Sequence, residues 1–544
     1  MQSVYAESFL NLSAAAAHDS TEGLYRSRMP KTLWEDEVNL KVDGMYGLST
    51  KHAPTGVSDS GSHLSTKPSM QSTKSSCLSA ILRWLRLVPP NQPHIAQEGT
   101  ENRLETLVDK PVPKFEGVRR CILIDVSHCD DVVNNAPVNK RAWVLQERLL
   151  APRVLHFSNG QIAWECSEFE ESEGYPAEIP KYVLRGDRIL RKPLNKGLRP
   201  DEHGQELRKL RLRGAPDPDA KLESDIHAFE LWSRIVEDYS KLDLSQGKDK
   251  LVALSGIAEF MATNVIGSQE SRARYCAGLW EKYLASQLLW KVEPVFVSHA
   301  LGFKHPSRRP RDDDGQLLYR APSFSWASVD AQYGNGVTYG EITDQDLFIE
   351  VHAGKDAVLL DYKTPENLIP ERKGVYGEVK SGHVMIWGKL LKIELRKGDK
   401  GRFYWHLLGQ SETSRPEKID ELKKEEHRNV YLDCPVDDGD QILDKDNVYC
   451  VPAALGSRTE AEDSKYIVCL LLQHVAEDDE RLPSLKENDR RSVYRRIGLT
   501  KLSTWADKLA YQYIGDLLPI DRDFPSRPHD YGKTGEGRSL IRII

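Results

Sequence analysis

The sequence predicts an α+β protein, and three observations carry that expectation. A run of strong helix formers, Arg141 to Leu150, leads directly into an alternating stretch centred on Asn159-Gly160. Residues 222–290 place apolar side chains at helical spacing, and from about Ala321 onward short alternating apolar runs are separated by glycines. The expected organisation is a segment 1–150 with a low-complexity insert at about 50–97, a hairpin plus charged connector at 151–221, a helical section at 222–292 and a β-rich region at 320–544.

At the start, Val4 to Glu7 read as the last turn of a helix and Phe9 to Ala15 as a short apolar strand, with Asp19, Ser20 and Gly23 supplying a loop. Thr50 to Gln97 is rich in Ser, Thr, Lys, Gly, His and Pro and reads as an insert. Val118 to Val126 reads as a buried strand.

Arg141 to Leu150 is expected to be a helix with Ala142, Leu145 and Leu149 on its apolar face. Arg141, Trp143, Gln146 and Glu147 then point away from that face. Pro152 stops the helix by disfavouring helical backbone at Ala151. Asn159-Gly160 predicts a two-residue type I′ turn, which needs positive φ at both positions. That turn sets Phe157 opposite Ile162, His156 opposite Ala163, Leu155 opposite Trp164 and Arg153 opposite Cys166. Leu155, Phe157, Ile162 and Trp164 share a core face, while Val154, His156, Ala163 and Glu165 share a face expected to be partly wet.

An acidic stretch, Glu165 to Glu178, precedes a basic one. Lys181 to Gly214 holds eleven Lys/Arg against four Asp/Glu, an excess of +7. With Tyr182 its only aromatic residue, it reads as a solvated connector; a nucleic-acid patch is the sharper alternative. Ile226, Phe229, Trp232, Val236 and Tyr239 predict one helix, and Leu251, Leu254, Ile257 and Met261 a second with Ser245 as its N-cap. A third helix is expected over Tyr275 to Trp290, with Trp280, Leu284 and Leu288 on one side. Val384 and Ile386, then Leu391, Ile393 and Leu395, predict strands with turns at Gly374, Gly382 and Gly388. Val448–Val451, Tyr466–Val475 and Val493–Leu499 predict further strands, and Glu412–Arg428 and Glu477–Arg491 charged surface segments.

Composition narrows the function classes. Of 544 residues, 29% are charged and 39% hydrophobic, and 75 Lys/Arg against 82 Asp/Glu give a net charge of −7. There is no global drive toward nucleic acid or an anionic membrane, and no apolar run long enough to span a bilayer; Tyr466 to Leu472 is strand-sized. The first residues lack the pattern of a secretion signal, so a cytoplasmic location is expected. The eight cysteines are scattered without a CxxC, which suits reduced structural thiols.

No phosphate loop, dinucleotide fingerprint, nucleophile elbow, HExxH or paired-cysteine zinc pattern is present, so no metal centre and no cofactor are expected. Gly334 to Gly340 is glycine-rich but reads as a loop. The hairpin register sends His156 and Cys166 to opposite faces, which removes a thiol–imidazole pair. His156 with Glu165 reads as a modest structural ion pair. One weak catalytic candidate remains: Glu147 lies at i+4 from Trp143, where a carboxylate beside a ring could act as an acid of raised pKa or meet a ligand. The plainer alternative is that Arg141 or Arg148 pairs with a carboxylate while Trp143 packs.

Several of these stretches resemble the fungal heterokaryon incompatibility (HET) domain family. They are MQSVYAESFLNLSAAAAHDSTEGLYRSR, RAWVLQERLLAPRVLHFSNGQIAWEC, WSRIVEDYSKLDLSQGKDKLVALSGIAE, YCAGLWEKYLASQLLW and APSFSWASVD, in the family's order. The motif positions are Arg141, Trp143, Gln146, Glu147, Arg148, Leu155, Phe157, Trp164 and Cys166. The resemblance implies an α/β, TIR-like core in the N-terminal part. It also implies a signalling or death-inducing role, through protein partners, in fungal non-self recognition, programmed cell death and innate immunity, and it raises NAD cleavage as an alternative. Family members usually carry a Tyr/Cys-Trp-Gly block and a Trp-Ile-Asp…Cys-Ile-Gln block upstream of the first stretch. Neither is here, so residues 1–150 are expected to be the C-terminal part of such a domain, and the chain to be non-enzymatic in this form.

Overall fold

A computed structural model describes residues 2–25, 27, 36–41, 118–123, 130–166, 170–174, 226–264, 266, 274–312, 314–331, 335–340, 346–354, 356–362, 375–408, 421–422, 424–443, 447–457, 465–475, 493–518 and 538–544. The insert, Lys181–Gly214, Gly374 and Glu477–Arg491 lie outside them, as does most of Glu412–Arg428. The protein is mixed α and β, with a large sheet in its C-terminal region. It divides into two compact units, Met1–Asn11 with Asn139–Pro152 and Asp187–Ile544, and Leu12–Val138 with Arg153–Gly186.

The smaller unit holds a four-stranded sheet in the order Asn11–Ser13, Arg153–Phe157, Ile162–Cys166, Glu170–Ser172, and an antiparallel pair of Asp36–Lys41 with Val118–Leu123. The hairpin has the expected register, with Arg153 opposite Cys166 and Phe157 opposite Ile162. Its turn differs from the expected type. Gly160 takes φ 86°, while Asn159 is not among the residues of positive φ, so the type I′ requirement is not met. The loop length alone preserves the pairing. The second face also differs, because Val154, His156, Ala163 and Glu165 are as buried as Leu155 and Trp164. Alternation of polar residues suggested water there. Instead His156 and Glu165 satisfy one another, which permits burial.

In the larger unit, helix α1 (Gln2–Ala6) and helix α2 (Ala142–Leu150) precede helix α3 (Ile226–Tyr239) and helix α4 (Ser255–Asn264). Helix α2 ends at Ala151, whose extended backbone (φ −71°, ψ 132°) is what Pro152 demands. It buries Ala142, Val144, Gln146, Leu149 and Leu150, while Leu145 is half-buried. The buried stripe is thus rotated toward Gln146 relative to the expected one. Ile226, Phe229, Trp232, Val236 and Tyr239 of α3 are all buried, as are Leu251, Leu254, Ile257 and Met261. Ser245 caps nothing; a 3-10 turn at Gly247–Lys250 intervenes before α4 begins at Ser255.

The expected third helix is replaced by a two-stranded pair, Tyr275–Cys276 with Leu279–Trp280, and one short turn of helix, Leu284–Gln287. The cause is local. Ala277 and Gly278 take positive φ (52° and 96°), and the Gly278 carbonyl accepts bonds from the Trp232 and Trp326 indoles at 3.0 and 2.8 Å. The Gln287 amide then clasps the Trp280 backbone N–H and carbonyl at 3.1 and 3.0 Å. Trp280, Leu284 and Leu288 are buried, but by a knot of tight turns instead of a helix face.

Among the described residues the large sheet has ten strands. Its order is Glu350–Val351, Val379–Gly388, Ser539–Ile543, Val493–Ser503, Lys465–His474, Val448–Ser457, Leu391–Lys397 and Phe403–Leu407. Val358–Tyr362 pairs with Val379–Gly388, and Val430–Leu432 with Val493–Ser503. All its described pairings are antiparallel except that of Val493–Ser503 with Ser539–Ile543. Gly382 lies within a strand and Gly388 ends it, so neither forms the expected turn. Central strands are covered on both faces. Val468, Leu470 and Leu472 join one core with α3 and α4, whereas Ile467, Cys469 and Leu471 join a second, closed by the helix Lys508–Leu517. A strand buried on both faces reads as an unbroken apolar run, as Tyr466–Leu472 does. Among the described residues no helix is long and apolar enough to cross a membrane.

Candidate functional site

Glu147 lies on α2, and α1 brings the Tyr5 hydroxyl to its carboxylate. Burial pushes the Glu147 carboxyl above its ordinary pKa, opposed by the Tyr5 hydrogen bond and the Arg141 charge. Burial, together with the Glu147 charge and hydrogen bond, pushes Tyr5 up to about 12. The Asn11 amide, at the start of the strand that follows α1, donates to the Glu147 carbonyl at 3.2 Å. The result is a half-buried carboxyl of raised proton affinity, capped by a phenol.

Most of the other motif residues are placed for packing, with Arg141 and Arg148 as the exceptions. Arg141 is exposed and forms a parallel bridge with Asp243; the backbone there bonds from Ala142 to Asp243 at 2.9 Å and from Asp243 to Lys140 at 2.8 Å. Trp143 packs half-buried on the main core, and Arg148 is half-buried. Gln146 is 1% exposed, and its amide nitrogen and oxygen make no hydrogen bond among the described residues. In the smaller unit Leu155, Phe157, Trp164 and Cys166 are buried. His156 Nε2 lies 2.8 Å from Glu165 Oε2, both side chains almost wholly buried, and the register keeps Cys166 on the opposite face.

Three buried charge clusters in the larger unit escaped the reading of the sequence. Lys250 Nζ lies 2.9 Å from Asp330 Oδ1, and Arg320 holds the same carboxylate at 2.7 Å while donating to the carbonyls of Gly247, Ala327 and Val329. Burial lowers Lys250 to about 8 against the pull of Asp330. Burial also works against the Asp330 anion, but Lys250 and Arg320 outweigh it and hold that carboxyl well below the usual range. In the second cluster Arg496, fully buried, lies 3.5 Å from the Trp290 ring centroid and 3.4 Å from Asp433. Burial raises Asp433 to about 6, although Arg496 favours its charge. In the third, His427 is fully buried with Nδ1 3.0 Å from Asp507 Oδ1 and its ring 4.3 Å from that of Trp405. The signal in the sequence was charge inside apolar strands, as in Tyr494-Arg495-Arg496-Ile497, and the acidic stretch after Leu432.

These clusters hold loops and strands together: the cations Lys250, Arg320 and Arg496 and the His427–Asp507 pair are buried, while Asp330 is partly exposed. Among the described residues Cys166, Cys276, Cys434, Cys450 and Cys469 are buried, with burial pushing Cys276 up to about 12 and Cys434 and Cys469 well above their ordinary value. The described part of the glycine-rich stretch, residues 335–340, is a loop as expected, fastened by Ser240 Oγ, just past α3, at 2.8 Å from Val337 N and by Glu237 of α3 at 2.8 Å from Tyr339 N. No group of three or more His, Cys, Asp or Glu that could hold a metal ion occurs among the described residues. Of the motif carboxylates, Glu147 alone combines partial exposure with a raised proton affinity. Comparison with protein-family models, curated proteins and solved structures gives no match.

Proposed function

We propose that this chain is a HET-family protein that acts through protein–protein contacts in fungal non-self recognition and programmed cell death, from a cytoplasmic location. The observation that carries this reading is the use made of the motif residues. Gln146, Leu155, Phe157, Trp164 and Cys166 are interior packing groups, and Trp143 leans on the core. A motif with five of its nine side chains interior chiefly specifies a fold, and recognition then falls to the surface. The TIR-like α/β core implied by the resemblance belongs to this proposal and rests on the motif alone; three strand pairs of the smaller unit, Asp36–Lys41 with Val118–Leu123, Arg153–Phe157 with Ile162–Cys166, and Ile162–Cys166 with Glu170–Ser172, are antiparallel. The test is induced expression of the full chain in a fungal host, scored for growth arrest or lysis. Growth indistinguishable from the uninduced strain would remove the reading.

One observation favours a second reading, a TIR-like NAD-consuming hydrolase. Glu147 is a half-buried carboxyl of raised proton affinity beside a phenol, the kind of group that serves as a general acid. Nicotinamide release from NAD by purified protein decides it. Turnover lost in Glu147→Gln supports hydrolysis; no turnover, or turnover unchanged in that variant, excludes it. The basic stretch Lys181–Gly214 remains the only feature in favour of nucleic-acid binding, and it ranks last.

A further inference from the structure

The strands Val295–Ser298 and Gly302–Lys304 form an antiparallel ladder of their own, outside the large sheet. Val295, Phe296 and Val297 are 37%, 49% and 49% exposed, and Leu301 at the turn is 70% exposed. Successive strand residues point to opposite faces, so apolar groups meet solvent on both faces of the ladder. A flat partner would cover one face and leave the other wet. A medium that the tip enters covers both.

The tip is held firmly. Gly302 and Gly401 take positive φ (74° and 72°), and their backbones are so close to the facing segment that a Cβ on Gly302 would lie 2.2 Å from the Lys400 carbonyl oxygen. Lys400 donates to the His299 carbonyl at 2.7 Å, and the Arg402 guanidinium lies 5.0 Å from the Phe303 ring. Lys304, Lys397, Lys400 and Arg402 are all exposed around this base. The carboxylates nearest in sequence are Glu293, engaged by Lys291, Glu394, engaged by Arg396, and Asp399. The chain as a whole carries −7, so this local cationic collar runs against the global charge.

We propose that the hairpin Val295–Lys304, with the turn at Asp399–Arg402, docks the chain onto an anionic phospholipid surface. Phe296, Leu301 and their valine neighbours enter the boundary between headgroups and acyl chains, while the lysines and Arg402 face lipid phosphates. Such peripheral contact needs no spanning helix. It is independent of the family reading and departs only from the expectation, drawn from global charge, that membranes are not partners.

The test is sedimentation of the purified full chain with vesicles of phosphatidylcholine alone and of phosphatidylcholine with phosphatidylserine. Binding to the phosphatidylserine vesicles, weakening as salt rises, is expected, with little binding to phosphatidylcholine alone. The pair Phe296→Ser/Leu301→Ser and the pair Lys304→Gln/Lys397→Gln should each weaken it at least about tenfold. Phe296 also touches Phe303, so Leu301→Ser alone, at the most exposed position, keeps the test valid if the pair melts early; it should weaken binding several-fold. No binding of the wild type, or binding unchanged in Leu301→Ser, overturns the proposal. So does a concentration-dependent dimer in light scattering that Leu301→Ser abolishes while vesicles stay unbound, which would make the tip an interface between copies.

Discussion

A buried amide with no hydrogen-bond partner is costly, and Gln146 is one among the described residues, on a helix whose neighbouring positions are Leu145 and Glu147. Gln146→Leu should stabilise the chain by about 1 kcal/mol in urea denaturation, because it removes a desolvated polar group at similar volume. A loss of similar size would mean that the amide has a partner the fold requires. Asp330 makes the opposite case. It is the counter-ion of Lys250 and Arg320, whose side chains are 5% and 2% exposed. Asp330→Asn strands two buried cations and should cost about 2–3 kcal/mol, the low end for a broken buried pair because Asp330 itself is 38% exposed. Asp433 gives a pH signature. Its folded pKa, about 6, lies above the unfolded value of 3.8, so the folded state binds that proton more tightly. Its stabilising contribution is complete below about pH 4 and is lost as pH rises through 6. Relative to Asp433→Asn, the wild type should lose stability between pH 4.5 and 7; parallel pH profiles would contradict this.

At the scale of elements, Gly278 shows how a tight turn displaced a helix. Its φ of 96° is strained for any side chain, and a Cβ would lie 2.7 Å from Trp326 Nε1. Gly278→Ala should therefore cost well over 1 kcal/mol, whereas Gly315→Ala, also at positive φ (78°) but in open space, should cost about 1 kcal/mol. Equal losses at the two positions would mean that the indole clasp contributes nothing. The same region explains what the sequence could and could not reveal. Helix α2, the hairpin register, α3 and the long strands were legible because a periodic pattern and a two-residue loop specify them locally. Tyr275–Trp290 has a helical pattern too, but its fold is decided by Trp232 and Trp326, 43 and 48 residues away from Tyr275 and Gly278 along the chain. The His156 face was misjudged for a related reason: polarity marks a wet face only when the polar groups lack each other. Of the candidate site, Glu147 was found at sequence level from its i, i+4 relation to Trp143, but its Tyr5 partner lies 142 residues upstream and no local spacing could announce it.

At the scale of the whole molecule, the described residues form two compact units, and the motif from Arg141 to Cys166 contributes its helix to one and its hairpin to the other. Interior motif residues and enclosed charges leave contact-making to the surface, which is why the protein is proposed to signal through contacts and not through chemistry. The most direct measurement is growth of a fungal host after induction of the full chain, wild type beside Glu147→Gln, with both proteins checked for folding. The account predicts arrest or lysis by both to the same extent. Unimpaired growth with the wild type, or arrest that disappears in a folded Glu147→Gln protein, would contradict it.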